Sequence, residues 1–161
     1  MSAIGSYVVL PRAKFSHCLE LARKVHTETT GKWLFKKTET IGLDSFRAAW
    51  EGSVIKEEIF GYSGYVLGYY LMAQTAINEV ELVDDNSEAS QTLGKMFLAA
   101  FVFEESVSLP NMRSDQLLQY TNAEFAEEGE EMIEALGAAH AFFRQGLENL
   151  TDENLVVFLM V

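Results

Sequence analysis

The sequence predicts an α+β fold: a mostly helical single domain with a small sheet pairing the N- and C-terminal strands. Three observations predict it. Apolar residues recur at steps of three and four through most of the interior, which is the helical period. Two short runs near the ends, Ser6-Tyr7-Val8-Val9-Leu10 and Leu155-Val156-Val157-Phe158-Leu159, have the length and composition of strands. The composition is 48% hydrophobic, with 11 Phe, 6 Tyr and 2 Trp in 161 residues. That is enough bulky apolar material for one core, and the length fits one domain spanning residues 1–161.

The first strand is stopped by Pro11, which cannot continue a ladder. Phe15, Cys18, Leu19, Ala22 and Val25 then mark an amphipathic helix from Arg12 to about Glu28, with Glu20 and Lys24 as a favourable i,i+4 pair. Thr27 to Gly31 ends it. Trp33-Leu34-Phe35 reads as a brief strand or as a loop anchored in the core. Asp44 is placed to cap a helix through Phe46, Ala49 and Trp50, extending toward Ile59, although Gly52 interrupts it. Phe60 to Gly64 is a turn-like break, and Ser63 caps the next helix, which runs to about Val80. Tyr65 to Ala76 is apolar nearly all round, so this helix is expected at the centre. Gly64 and Gly68 lie one turn apart on it and would admit a neighbouring backbone.

Asp84-Asp85-Asn86-Ser87 forms an acidic loop and supplies the cap of a helix traced by Leu93, Met96, Phe97, Ala100, Phe101 and Glu104. A linker containing Pro110 follows, then a short helix capped by Ser114 with Leu117, Leu118 and Tyr120. Thr121-Asn122-Ala123-Glu124 matches a capping box. Beyond it Phe125, Gly129, Met132, Ile133, Leu136, His140, Phe143 and Leu147 form an apolar stripe at helical period. Glu127, Glu130, Glu131 and Glu134 fall on another face of the same helix. Near the helix start they are favoured by the macrodipole, and further in they repel one another at i,i+4. The plain reading is a solvated face. The sharper reading is that a cationic partner relieves the repulsion.

Net charge is −12 and is unevenly spread. Residues 1–60 are net +2, with 9 Lys/Arg against 7 Asp/Glu. Residues 61–161 are net −14, with 3 Lys/Arg against 17 Asp/Glu. Such a half repels phosphate, which argues against nucleic acid, and would attract a basic protein and speed encounter with it. The plainer alternative is that the charge serves solubility alone.

Signatures of chemistry are missing. His17 and Cys18 are adjacent, so on a helix they diverge by about 100°, and neither H-E-x-x-H nor C-x-x-C occurs. His140 falls on the apolar stripe, where a core or edge histidine is expected, and His26 sits near a helix end, where a cation is favoured. Gly61-Tyr62-Ser63-Gly64 lacks the spacer of a nucleophile elbow, and Gly64 with Gly68 lacks the order of a phosphate loop. Cys18 reads as a buried structural thiol. No catalytic residue, metal or cofactor is therefore expected. A single cysteine excludes an intrachain disulfide, the opening lacks a basic region followed by an apolar run, and Tyr65 to Ala73 is too short to span a bilayer. The expectation is a cytoplasmic protein without a membrane partner.

Ile4-Gly5-Ser6-Tyr7-Val8 resembles the opening of the YfbM-like family of small bacterial proteins. Leu136, Phe142-Phe143 and then Leu155-Val156-Val157-Phe158 after a turn are similar to that family's final helix and strand, and Asp44 with Trp50 to its central motif. The histidine-bearing segment that usually follows is missing. The resemblance implies an α+β domain with paired terminal strands and transfers no catalytic residue. The overall profile, small, acidic and without an active site, is similar to bacterial immunity proteins that neutralise toxins. The expected function is accordingly a protein-binding module, an immunity or inhibitor protein that occludes a basic toxin domain, with a cognate toxin as the candidate partner. Its docking residues would be Asp84, Asp85, Glu88, Glu127, Glu130, Glu131 and Glu134, within an acidic patch from Glu79 to Glu134. Two alternatives stand beside it: a small-molecule binder or enzyme with a pocket lined by Trp33, Trp50, Tyr62, Tyr65 and Tyr69, and a homo-oligomer, a homodimer for instance, burying an apolar face at Phe97 and Phe101.

Overall fold

The computed structural model describes residues 5–31, 36–64, 66–68, 71, 88–106 and 126–161, the side chains of 126–133 aside. The chain is an α+β domain built on an antiparallel sheet. The strands β1 (Gly5–Pro11), β4 (Lys56–Ile59), β5 (Ala99–Phe103) and β6 (Asn154–Met160) lie in the order β4-β1-β6-β5. A separate hairpin joins β2 (His26–Thr30) to β3 (Lys37–Ile41). The described helices are α1 (Arg12–Lys24), α2 (Leu43–Glu51), α3 (Glu88–Leu93) and α4 (Ala126–Leu147), with further helical residues at 61–64, 66–68 and 71.

The two terminal strands form the middle of the sheet. β1 and β6 run antiparallel in a register from Gly5↔Met160 to Pro11↔Asn154. Both are buried on both faces, so they read as unbroken apolar runs rather than as alternation. The alternation is present all the same, because successive side chains enter opposite layers. Tyr7, Val9, Phe101, Phe103, Val156, Phe158 and Met160 face one core. Val8, Leu10, Ala100, Leu155, Val157 and Leu159 face the other. Each fully buried Leu or Phe contributes roughly 1.5–3 kcal/mol relative to exposure, so burying the sheet twice is the main source of stability.

The first core is closed by Val66, Leu67 and Leu71 and by Ala139, Phe142, Phe143 and Leu147 of α4. Phe158 is its hub, with ring centroids at 5.2 Å from Phe143, 5.5 Å from Phe103, 5.8 Å from Tyr7 and 5.9 Å from Phe142. Gly146 is required here, because a Cβ on it would lie 2.5 Å from Phe158 Cζ. The second core is closed by Phe15, Cys18 and Ala22 of α1, Phe46 and Trp50 of α2, and Leu93 of α3. Three layers result, with the sheet between two sets of helices.

Several elements differ from the sequence-based expectation. The helix expected to run on through Leu93 to Glu104 stops at Leu93, and Ala99–Phe103 is a strand. Gly94 closes the helix, its N–H bonded to the Ser90 carbonyl at 2.8 Å, and pairing with β6 then outweighs the helical spacing. The helix expected to reach Glu28 ends at Lys24, and the one expected to approach Ile59 ends at Glu51. β-Branched Thr27, Thr29, Thr30, Thr38 and Thr40 make the β2–β3 hairpin instead. Gly42, at φ 84°, caps α2 where Asp44 was expected, and Asp44 lies inside its first turn. The helix after the Phe60–Gly64 break begins at residue 61, before Ser63. The Thr121–Glu124 capping box, the Ser114 helix, the Trp33–Phe35 segment and the Asp84–Ser87 loop lie outside the described residues.

Candidate functional site

The acidic residues singled out from sequence do not form one described patch. Asp84 and Asp85 lie outside the described residues. Glu88 opens α3, and Ala89 and Leu93 of that helix pack into the α1–α2 core. Glu134 is exposed on α4, which packs into the opposite core. The sheet therefore separates Glu88 from Glu134. Glu88 also has a partner within the chain, since Arg23 Nε stands 2.9 Å from its carboxylate. Helix backbone carries Glu127, Glu130, Glu131 and Glu134 on successive turns of the first half of α4, and the basic residue of its last turn is Arg144.

The division of α4 is physical. Its C-terminal half holds the sheet through Ala139, Phe142, Phe143 and Leu147, whereas Glu134, Gly137 and Ala138 are exposed. Phe142, absent from the expected stripe, is fully buried and stacks on Phe60 at 4.1 Å. His140 is half-buried on the same helix. Burial lowers its pKa below the usual 6.5, and the Arg144 charge one turn on lowers it further. His26 behaves oppositely. Its Nδ1 meets the Lys24 carbonyl at 2.8 Å and its Nε2 the Glu28 carboxylate at 2.9 Å. Both nitrogens face acceptors, so the Lys24 carbonyl first and Glu28 second raise its pKa.

The aromatic pocket expected around Trp50 and Tyr62 is not built from those two residues. Trp50 is a core residue, its ring centroid 5.7 Å from Phe46 and 5.3 Å from Phe97. Tyr62 is exposed beyond β4, and Trp33, Tyr65 and Tyr69 lie outside the described residues or side chains. The apolar face expected at Phe97 and Phe101 is likewise divided. Phe97 packs against the core of α1 and α2, while Phe101 is buried in the core of α4. Phe97 lies in the turn ahead of β5 and Phe101 within the strand, so the helix that would have set them on one face is absent.

Among the described residues, no group of three or more His, Cys, Asp and Glu is placed to hold a metal ion. His17 is exposed and Cys18 buried, as their divergence on α1 requires. The Cys18 thiol meets Ser53 Oγ at 3.6 Å, and Ser53 donates to the Ala49 carbonyl at 2.6 Å. An open hollow of about 690 Å³ lies beside Pro11, Arg12, Ile55 and Asp152–Asn154. Its one guanidinium is committed: Arg12 donates to the carbonyls of Thr151, at 3.1 Å, and Glu104. No described helix is long and apolar enough to cross a membrane.

A feature without a sequence expectation is the apolar rim of β4. Ile55, Ile59, Phe60 and Tyr62 are all exposed along that edge of the sheet. The sequence carries the signal, as Ile55 and Ile59 bracket Lys56-Glu57-Glu58, but the same stretch also fits the end of a helix. Comparison with known protein families, with curated proteins and with solved structures found no match to the chain.

Proposed function

We propose that the protein is an acidic protein-binding module of the immunity or inhibitor type, whose first half of α4 docks on a basic domain of another protein. One observation carries the proposal. A helix anchored to the sheet by its C-terminal half bears Glu127, Glu130, Glu131 and Glu134 in its N-terminal half. Four carboxylates on adjoining turns raise one another's electrostatic energy, and lysines or arginines of a partner relieve it. Charge of one sign also steers encounter, so the effect is carried by the association rate and weakens with salt. The partner surface would be a Lys/Arg cluster flanked by apolar groups, since charge alone positions but does not hold. Glu88, on the other layer and paired with Arg23, lies outside this docking surface. The YfbM-like resemblance adds an α+β expectation and no functional residue.

The test compares the intact protein with a Glu127→Lys, Glu130→Lys, Glu134→Lys variant, each immobilised and exposed to extract at low and at high salt. The expected result is retention of basic proteins at low salt by the parent alone, and, for a retained partner, an on-rate that falls steeply in the variant. Retention of the same proteins at the same rate by both would end the proposal. The absence of any basic protein among those retained by the parent would end it equally.

A further inference from the structure

We propose that β4 is the seam of a symmetric homodimer, in which two copies pair this strand antiparallel about Glu57 and join their sheets into one of eight strands. The proposal does not depend on a basic partner.

The edge has the right hydrogen-bond polarity. Among the described residues β4 pairs with β1 on one side and with no strand on the other. The Phe60 N–H donates to the Gly5 carbonyl at 2.9 Å, which makes Gly5 and Phe60 a hydrogen-bonded pair. Antiparallel pairs alternate, so in the register Tyr7↔Glu58 and Val9↔Lys56 the bonds of Glu58 and Lys56 also point to β1. Glu57 and Ile59 then turn their N–H and C=O groups outward. A two-fold axis at Glu57 lets the two Glu57 residues exchange both backbone bonds, while the Ile55 N–H stays committed to Val9.

The same axis makes the side chains complementary. Ile55-Lys56-Glu57-Glu58-Ile59 reads, against its own reverse, as Lys56 opposite Glu58 twice and Ile55 opposite Ile59 twice. Ile59 is 67% exposed and Ile55 is 59% exposed, so both have apolar surface left to bury. The side chains of Lys56 and Glu58 are about two-fifths exposed and pair within the strand at 3.5 Å, with Lys56 Nζ 5.7 Å from the Tyr7 ring centroid of β1, so in the dimer each shares its charge with the copy. Charges on an edge strand commonly guard it against pairing. Here they guard against strangers but not against a copy, because the antiparallel register sets opposite signs together. Glu57 opposite Glu57 is the single like-charged contact, and it makes the seam weaker than its other pairs would allow. The bulge at Ile55, whose N–H donates to the Val9 carbonyl at 2.9 Å while Lys56 stands opposite Val9, bounds the seam at that end. Repulsion between two chains of charge −12 is largely screened at physiological salt, where the Debye length is about 8 Å.

Molar mass by light scattering, from micromolar to millimolar protein at physiological salt, tests this. The intact chain is expected to pass from monomer to dimer. Lys56→Glu and Glu58→Lys should each return it to monomer with an unchanged circular dichroism spectrum, and the double exchange should restore the dimer. Glu57→Gln, at an exposed site, should lower the dissociation constant several-fold and remains informative should a charge reversal unfold the chain. A monomer at every concentration overturns the proposal. So does a dimer indifferent to the single reversals, a folded double exchange that stays monomeric, or a Glu57→Gln protein that dimerises no better than its parent.

Discussion

Gly5 and Gly64 lie backbone against backbone. A Cβ built on Gly64 would stand 2.7 Å from the Cα, C and O atoms of Gly5, and one built on Gly5 would overlap the Gly64 carbonyl group. The contact lets the helical turn at residues 61–64 cross the start of β1 directly after Phe60 has bonded to Gly5. No side-chain rotation relieves such a clash, since both partners are main chain. It is also the point where the chain leaves the edge strand for the core of α4.

Gly64→Ala should therefore destabilise the protein by about 1–3 kcal/mol, the usual cost of overpacking. Gly137→Ala should act the other way. Gly137 is exposed in mid-α4, a Cβ there meets nothing within 4 Å, and the exchange should add roughly 0.5–1 kcal/mol from helix propensity. Urea midpoints of the two variants, measured against the parent, check both signs at once. Equal shifts would mean that the Gly5–Gly64 approach carries no energetic weight.

Cys18 is fully buried under α1 and touches the Ser53 hydroxyl. A thiol with no water beside it does not react until the α1–α2 core opens. Labelling by an aromatic disulfide reagent should therefore be negligible in the native protein and complete in urea, with a rate that follows global unfolding. Fast labelling of the folded chain would show that α1 detaches on its own.

The two perturbed histidines predict opposite pH dependences. His140 has a folded pKa below 6.5, so the unfolded chain binds the extra proton first. Its contribution is complete above 6.5 and falls as pH drops from there through the folded pKa. His26 has a folded pKa above 6.5, so its contribution is complete below 6.5 and falls as pH rises through the folded value. His140→Gln should thus reduce the loss of melting temperature between neutral pH and about pH 5. His26→Gln should steepen that loss. Parallel curves for all three proteins would show that neither histidine is coupled to folding.

The parts of the fold that were legible share a property: each is declared by neighbours in sequence. Val8, Val9, Val156 and Val157 announce strands without reference to anything distant, and Phe143 and Leu147 announce the packed end of α4. Gly64 and Gly68 announced a close approach, and both make one, Gly64 to the Gly5 main chain and Gly68 to the Met160 side chain. The misread parts were those with two local solutions. Leu93, Phe97, Ala100 and Phe101 fit helical spacing, yet Ala99–Phe103 also fits a strand, and the free edge of β6 decided the matter. Lys56–Ile59 likewise fits the end of a helix, and pairing with the edge of β1 makes it a strand.

The acidic site followed the same rule. Charge along the chain groups its members, and distance in sequence says nothing about which side of a sheet a helix will cover. Glu88 and Glu134 both belong to the acidic half of the chain, and they end on opposite layers because α3 packs with Leu93 on Leu159's side and α4 with Phe143 on Phe158's.

From residues alone came the α+β class, the two apolar end strands, the buried cysteine, the charge imbalance and the long helix with its glutamates. Among the described residues, tertiary structure alone settled which strands pair, which layer each helix occupies, and that Glu88 has a cation within the chain. The reason is that periodicity and charge are written into short stretches, whereas strand partnership and sidedness depend on backbone groups and faces supplied by segments far away in the chain.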